Sequence, residues 1–140
     1  MRQILLFSAL AALLALLSGC ALSKAKEDKA EDMTDKAAYQ KISAEEAYEM
    51  MASQEVVVVD VRTQEEYDGG HIENAVLVPN ESIGSEMPEV LPDKEATLLV
   101  YCRSGRRSKD AAQKLLALGY QSVYDFGGVI DWPYELVKEG

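Results

Sequence analysis

Two hydrophobic periods alternate along most of this chain, one helical and one that of buried strands. Ser43-Ala44-Glu45-Glu46 has the residues of a helix-opening capping box, and Ala47, Met50 and Met51 supply the buried side of a helix running to about Met51. Val56-Val57-Val58-Val59 is uninterrupted and β-branched, as in a strand covered on both faces. Thr63-Gln64-Glu65-Glu66 is a second capping box, and Gly69-Gly70 ends its short helix. Ala75 to Val78 reads as a strand stopped by Pro79, and a helix is expected somewhere between Ser82 and Leu91. Thr97 to Tyr101 is another apolar strand. From Arg107 to Leu118 the apolar positions Ala111, Ala112, Leu115 and Leu118 recur at helical spacing, with Gly119 as the stop. Ser122 to Phe126 predicts a last core strand, followed by Gly127-Gly128 and a short helix around Asp131 to Lys138.

Strands alternating with helices imply a parallel sheet with helices on both faces. Sheets of this kind carry ligand sites beyond the carboxyl ends of their strands.

The first segment departs from this pattern. Arg2 supplies a positive start, Ile4 to Leu17 is apolar, and Leu17-Ser18-Gly19-Cys20 closes the run with small residues before a cysteine. That is the layout of a secretory signal peptide, and the run is shorter than the roughly 20 residues a membrane-spanning helix needs. Leu-Ser-Gly-Cys also resembles the lipobox of bacterial lipoproteins, which implies cleavage after residue 19 and lipidation of Cys20. Residues 20–38, rich in Lys, Glu, Asp and Ala, read as a charged flexible tether, leaving 39–140 as one folded domain. The expected location is therefore extracytoplasmic, lipid-anchored to a bacterial membrane on its periplasmic or cell-surface side.

Charge and cysteine count narrow the chemistry. A net charge of −10 disfavours nucleic acid and anionic lipid as electrostatic partners, so the membrane link falls to the acyl anchor on Cys20. Of two cysteines, lipidation of Cys20 would leave Cys102 alone, and one unpaired thiol in an exported protein points to reactivity. No Cys/His spacing of a metal site is present, and no cofactor is implied.

Cys102 follows the Thr97–Tyr101 strand and precedes the helix near Arg107, with Cys102-Arg103-Ser104-Gly105-Arg106-Arg107-Ser108 between. A tight loop opening a helix converges unpaired N–H groups, the helix dipole adds partial positive charge, and Arg103, Arg106 and Arg107 add three fixed charges. Each favours thiolate, so Cys102 is expected below the free value of about 8.5. Gly105 suits a turn with positive φ. The bland alternative is a buried apolar cysteine beside arginines that merely solvate a helix start.

This loop resembles the active-site loop of rhodanese-family sulfurtransferases, Cys-Arg-x-Gly-x-Arg-Ser. The resemblance extends to Asp60-Val61-Arg62, Glu66-Tyr67, Gly70-His71-Ile72, Ala75 and Pro79, and to Gly127-Gly128 with Trp132, covering about Ile42 to Leu136. Glu73-Asn74 departs from the family's frequent Pro-Gly, at a turn. The resemblance implies a five-stranded parallel sheet with helices on both faces, over 39–140. It makes Cys102 the nucleophile and persulfide carrier, with Arg103, Ser104, Gly105, Arg106 and Arg107 binding substrate through backbone N–H groups and guanidinium charge. It implies a small anionic sulfur donor such as thiosulfate and a thiophilic acceptor such as cyanide or a thiol, and names no protein acceptor.

Other residues read as structural. His71, the only histidine, lacks triad partners and is expected to be packed and hydrogen-bonded. Asp60 and Arg62 bracket the end of a strand, and a local ion pair or helix-start contact is expected there in preference to a contact with the site rim, while Trp132 and Tyr134 are expected to be core or lid packing. Two other functions stay open: a non-enzymatic sulfur-carrier or partner-docking module, and a cysteine-dependent phosphatase or arsenate reductase. Phosphatases typically show Cys-x5-Arg, whereas here that position is Ser108.

Overall fold

The structure, a computed structural model, describes residues 37–139. The signal peptide 1–19, the lipidation site Cys20 and nearly all of the 20–38 tether lie outside the described residues. The described residues hold five strands: β1 (Gln40–Lys41), β2 (Val57–Asp60), β3 (Val76–Leu77), β4 (Thr97–Cys102) and β5 (Ser122–Gly128). Three α-helices join them: α1 (Ala44–Ser53), α2 (Gln64–Asp68) and α3 (Arg106–Ala117). The sheet is wholly parallel in the order β1-β5-β4-β2-β3, as expected for strands connected through helices.

Both capping boxes form. Ser43 Oγ accepts from the Glu46 amide while the Glu46 carboxylate accepts from the Ser43 amide, and Thr63 and Glu66 repeat the exchange at α2. The central strands are sandwiched. On β4, Leu98, Val100 and Cys102 face α3 with Ala111, Ala112 and Leu115, while Leu99 and Tyr101 face α1 with Ala47 and Phe126. This explains the unbroken β-branched run of β2: Val58 and Val59 are both buried, on opposite faces.

Three elements differ from expectation. No helix forms between Ser82 and Leu91; a single 3-10 turn, Asn80–Ser82, is followed by irregular chain. Pro79, Gly84, Pro88 and Pro92 interrupt any helical run there, yet Ile83 and Leu91 still plug the core beside α3. The C-terminal helix is also absent. After a 3-10 turn at Val129–Asp131 the chain extends, because Pro133 disfavours helical geometry at Trp132, and an isolated antiparallel bridge joins Val137 to His71. The short edge strand β1 had no sequence signal; it is held by parallel pairing with Tyr124 and Asp125 of β5.

Candidate active site

Cys102 ends β4 at the carboxyl edge of the sheet. The β4–β5 register shifts between Val100 and Cys102, so Cys102 stands opposite Gly128. Such a bulge re-aims a side chain at a strand end. The loop Arg103–Gly105 then turns into α3, whose first turn has no side-chain cap, leaving its amides for another acceptor. Gly105 at φ 101° allows the turn, and its amide donates to Cys102 Sγ at 3.0 Å. The loop lies tightly on β5: a Cβ at Gly128 would fall within 2.6 Å of Ser104 Cα, and Ile130 N–H bonds the Arg103 carbonyl at 3.2 Å.

Cys102 is a free thiol, only 1% exposed. Burial pushes its pKa up. Hydrogen bonds from the Ser108 hydroxyl and the amides of Ser108, Gly105 and Ser104 more than offset this, so the thiol lies below the ordinary cysteine value. The buried-cysteine reading and the activated-cysteine reading thus describe one residue.

The three loop arginines differ in their surroundings. Arg107 makes two 2.8 Å bonds to the Glu66 carboxylate, Nη1 to Oε2 and Nη2 to Oε1. This pair raises the arginine pKa and holds the Glu66 carboxyl at about 2. The Cys102 charge adds a smaller favourable contribution to Arg107, so the guanidinium still faces the thiolate's field. Arg103, Ser104 and Arg106 are exposed, and the two arginines remain for a substrate anion.

Three further residues had not been assigned to the site. Ser108 Oγ donates to Asp125 Oδ1 at 2.7 Å, with Gly105 O at 3.1 Å and Gly127 O at 3.3 Å also in reach. Asp125 is fully buried beneath the loop and also accepts from Gly127 N at 2.9 Å and Tyr39 Oη at 2.7 Å, with Lys41 Nζ at 3.4 Å. An acidic residue inside an apolar strand was the signal for Asp125, since a buried carboxylate needs donors. Glu66 gave none beyond its role in the capping box.

The remaining polar residues are structural. His71 Nδ1 lies 2.9 Å from the Tyr67 carbonyl, which can only accept, so Nδ1 carries the proton; its ring stacks on Tyr67 and its backbone pairs with Val137. Asp60 and Arg62 form a buried pair at 2.7 Å, which Tyr101 Oη joins at 2.7 Å while Arg62 also donates to Gly70 O at 2.8 Å. Trp132 and Tyr134 pack with Tyr48 on the α1 side, and Trp132 also meets Phe126.

Comparison with known proteins agrees with this architecture. A rhodanese-like domain model matches residues 43–133. A rhodanese-like domain protein from Staphylococcus aureus superposes with a TM-score of 0.62 at 31% identity, covering 72% of this chain and 99% of that one. A rhodanese from E. coli, solved with anions, gives 0.56 at 33% identity, covering 61% and 100%. A human single-domain sulfurtransferase gives 0.59 at 27% identity, covering 66% and 93%. Among curated sequences, the tRNA uridine(34) hydroxylase of Photorhabdus laumondii is 32% identical over 104 residues, 71% of this chain and 30% of that protein. The chain thus spans less than a third of that relative's length. Fold, loop and family match converge, and the chain belongs to the rhodanese-like family.

Proposed function

We propose that this protein is a sulfurtransferase of thiosulfate type, moving sulfane sulfur to a thiophilic acceptor through a Cys102 persulfide. The observation that carries the reading is the Gly105 amide bonded to Cys102 Sγ at 3.0 Å, at a helix start left uncapped by any side chain. In the first step the Cys102 thiolate attacks the outer sulfur of thiosulfate. A sulfur–sulfur bond forms, the bond to the sulfonate sulfur breaks, and sulfite leaves with the electron pair. In the second step cyanide or a thiolate attacks the outer persulfide sulfur and Cys102 departs as thiolate. Hydrogen bonding lowers the thiol pKa and favours the ionised nucleophile, so this reading assigns no general base.

The N–H groups of Ser104, Gly105 and Ser108 hold the charge in both steps, and exposed Arg103 and Arg106 meet the donor's sulfonate. Nucleic acid is not a proposed partner, given the net charge of −10. The proposal includes an extracytoplasmic position on a lipid anchor at Cys20, supported by the apolar run that ends in Leu17-Ser18-Gly19-Cys20.

Purified protein should convert thiosulfate and cyanide to thiocyanate and sulfite, lose this on Cys102→Ser, and leave phosphate monoesters intact. Phosphatase activity lost on Cys102→Ser, without thiocyanate formation, would replace the assignment. The Cys-x4-Arg spacing and the Glu66 hold on Arg107 favour the sulfur reading.

A further inference from the structure

We propose that Asp125 is a positioning residue: by tying the first turn of α3 to the end of β5, it fixes the Gly105 amide against Cys102 Sγ. The inference rests on the reading that Cys102 reacts as a thiolate, the form an aimed N–H group stabilises. A carboxylate at 0% exposure within a core strand costs free energy unless donors surround it. One oxygen, Oδ1, accepts from the Ser108 hydroxyl of α3 at 2.7 Å and from the Gly127 amide of β5 at 2.9 Å. Ser108 Oγ also lies 3.1 Å from the Gly105 carbonyl and 3.3 Å from that of Gly127. The hydroxyl therefore sits between the start of the helix and the end of the strand.

The tie falls where the loop needs it. The two ends of Arg103–Gly105 are held separately. At the first, the Arg103 carbonyl accepts from the Ile130 amide at 3.2 Å. At the second, Gly105 has no side chain and a φ of 101°, so nothing of its own fixes the direction of its N–H. It rests on Gly127, whose Cα would lie 3.6 Å from a Cβ at Gly105. Asp125 grips both partners of that contact, Gly127 directly and Gly105 through Ser108, three residues further along α3. The Gly105 amide then meets Sγ at 3.0 Å.

The other oxygen keeps the carboxylate from turning. Oδ2 accepts from Tyr39 Oη at 2.7 Å, and Lys41 Nζ stands at 3.4 Å. Burial and the neighbouring Asp125 push the Tyr39 hydroxyl up to about 12, so it stays a donor. The charges closer to Cys102 are Arg103 and Arg106 of the loop and Arg107 of α3, which Glu66 holds. None of these is bonded to Asp125 among the described residues. The negative charge of Asp125, taken alone, opposes a second negative charge on Cys102. An influence through geometry and an influence through charge therefore carry opposite signs, and experiment can separate them.

The test is the pH dependence of Cys102 alkylation by iodoacetamide in folded protein. Asp125→Leu replaces the carboxylate with an apolar group of similar shape, a change buried sites often accept. Loss of the charge alone would lower the thiol pKa, whereas loss of the tie should raise it by about 1 unit. Asp125→Asn keeps Oδ1 as an acceptor for Ser108 and Gly127, and should return the pKa to the wild-type value or below. Ser108→Ala cuts only the α3 half of the tie and serves where Asp125→Leu fails to fold. In it the Gly105 amide should exchange its hydrogen about tenfold faster relative to the amides of Leu99 and Val100 in β4. An unchanged or lowered thiol pKa in Asp125→Leu overturns the proposal, as does an Asp125→Asn protein as impaired as Asp125→Leu. Unchanged relative exchange at Gly105 in Ser108→Ala overturns it too. Alkylation and exchange need no sulfur donor, so failure of this inference and failure of sulfur transfer are separately visible.

Discussion

Arg107 and Glu66 lie 41 residues apart in sequence and meet in a two-bonded clamp, each bond 2.8 Å. The clamp ties the first turn of α3, directly after the Cys102 loop, to the third residue of α2. Glu66 serves twice, since its Oε2 also accepts the Thr63 amide at 3.1 Å in the capping box. Both side chains are about one-quarter exposed, 22% for Arg107 and 27% for Glu66.

Acid should weaken this clamp. Glu66 is held down to about 2, first by Arg107, whereas an unfolded glutamate titrates near 4.3. A depressed carboxyl pKa stabilises the fold above the unfolded value, and the contribution is lost as pH falls from about 4.5 through about 2. After solvent screening it amounts to about 1–2 kcal/mol. Urea unfolding should show Glu66→Gln less stable than wild type by that amount at pH 7, with the gap narrowing at pH 2–3.

Gly128→Ala should dislodge the Cys102 loop. The new methyl would overlap the Arg103 carbonyl and Ser104 Cα, which are backbone and cannot swing aside. A cost of about 1–3 kcal/mol is expected. The loop amides would also withdraw from Sγ, so alkylation titration should show the Cys102 pKa raised.

Arg62→Ala should be among the most destabilising single changes. Asp60 is fully buried, and Arg62 supplies three of its hydrogen bonds from side-chain nitrogen, with Tyr101 adding another. Stranding that carboxylate costs about 3–5 kcal/mol. Calorimetry should record a large fall in Tm, while any protein that stays folded keeps its thiol pKa.

Arg103→Ala and Arg106→Ala should act on binding rather than on the nucleophile. Both side chains are exposed, and hydrogen bonds to Ser108 and the loop amides already lower the thiol pKa. KM for thiosulfate should rise about threefold or more in each, and wild-type KM should rise with ionic strength. The alkylation pKa should move by less than about 0.3 unit.

Much of the fold was legible because its signals are local. The capping boxes at Ser43 and Thr63, the β-branched run in β2 and the glycine at 105 each depend on a few neighbouring residues. Helical patterning misled where prolines govern the backbone, between Ser82 and Leu91 and after Asp131. The site was legible as a location, Cys102 at the end of a strand before a helix. Its wiring was not: Glu66 reaches Arg107 across 41 positions, and Asp125 reaches Ser108 across 17, so no local pattern announces either pair.

The most direct test of sulfur carriage is the intact mass of the protein after brief exposure to thiosulfate and removal of excess donor. One added sulfur, about 32 Da, should appear on the peptide bearing Cys102, vanish on treatment with cyanide, and be absent from Cys102→Ser. An unchanged mass on folded protein whose Cys102 is still alkylated at neutral pH would contradict the persulfide account.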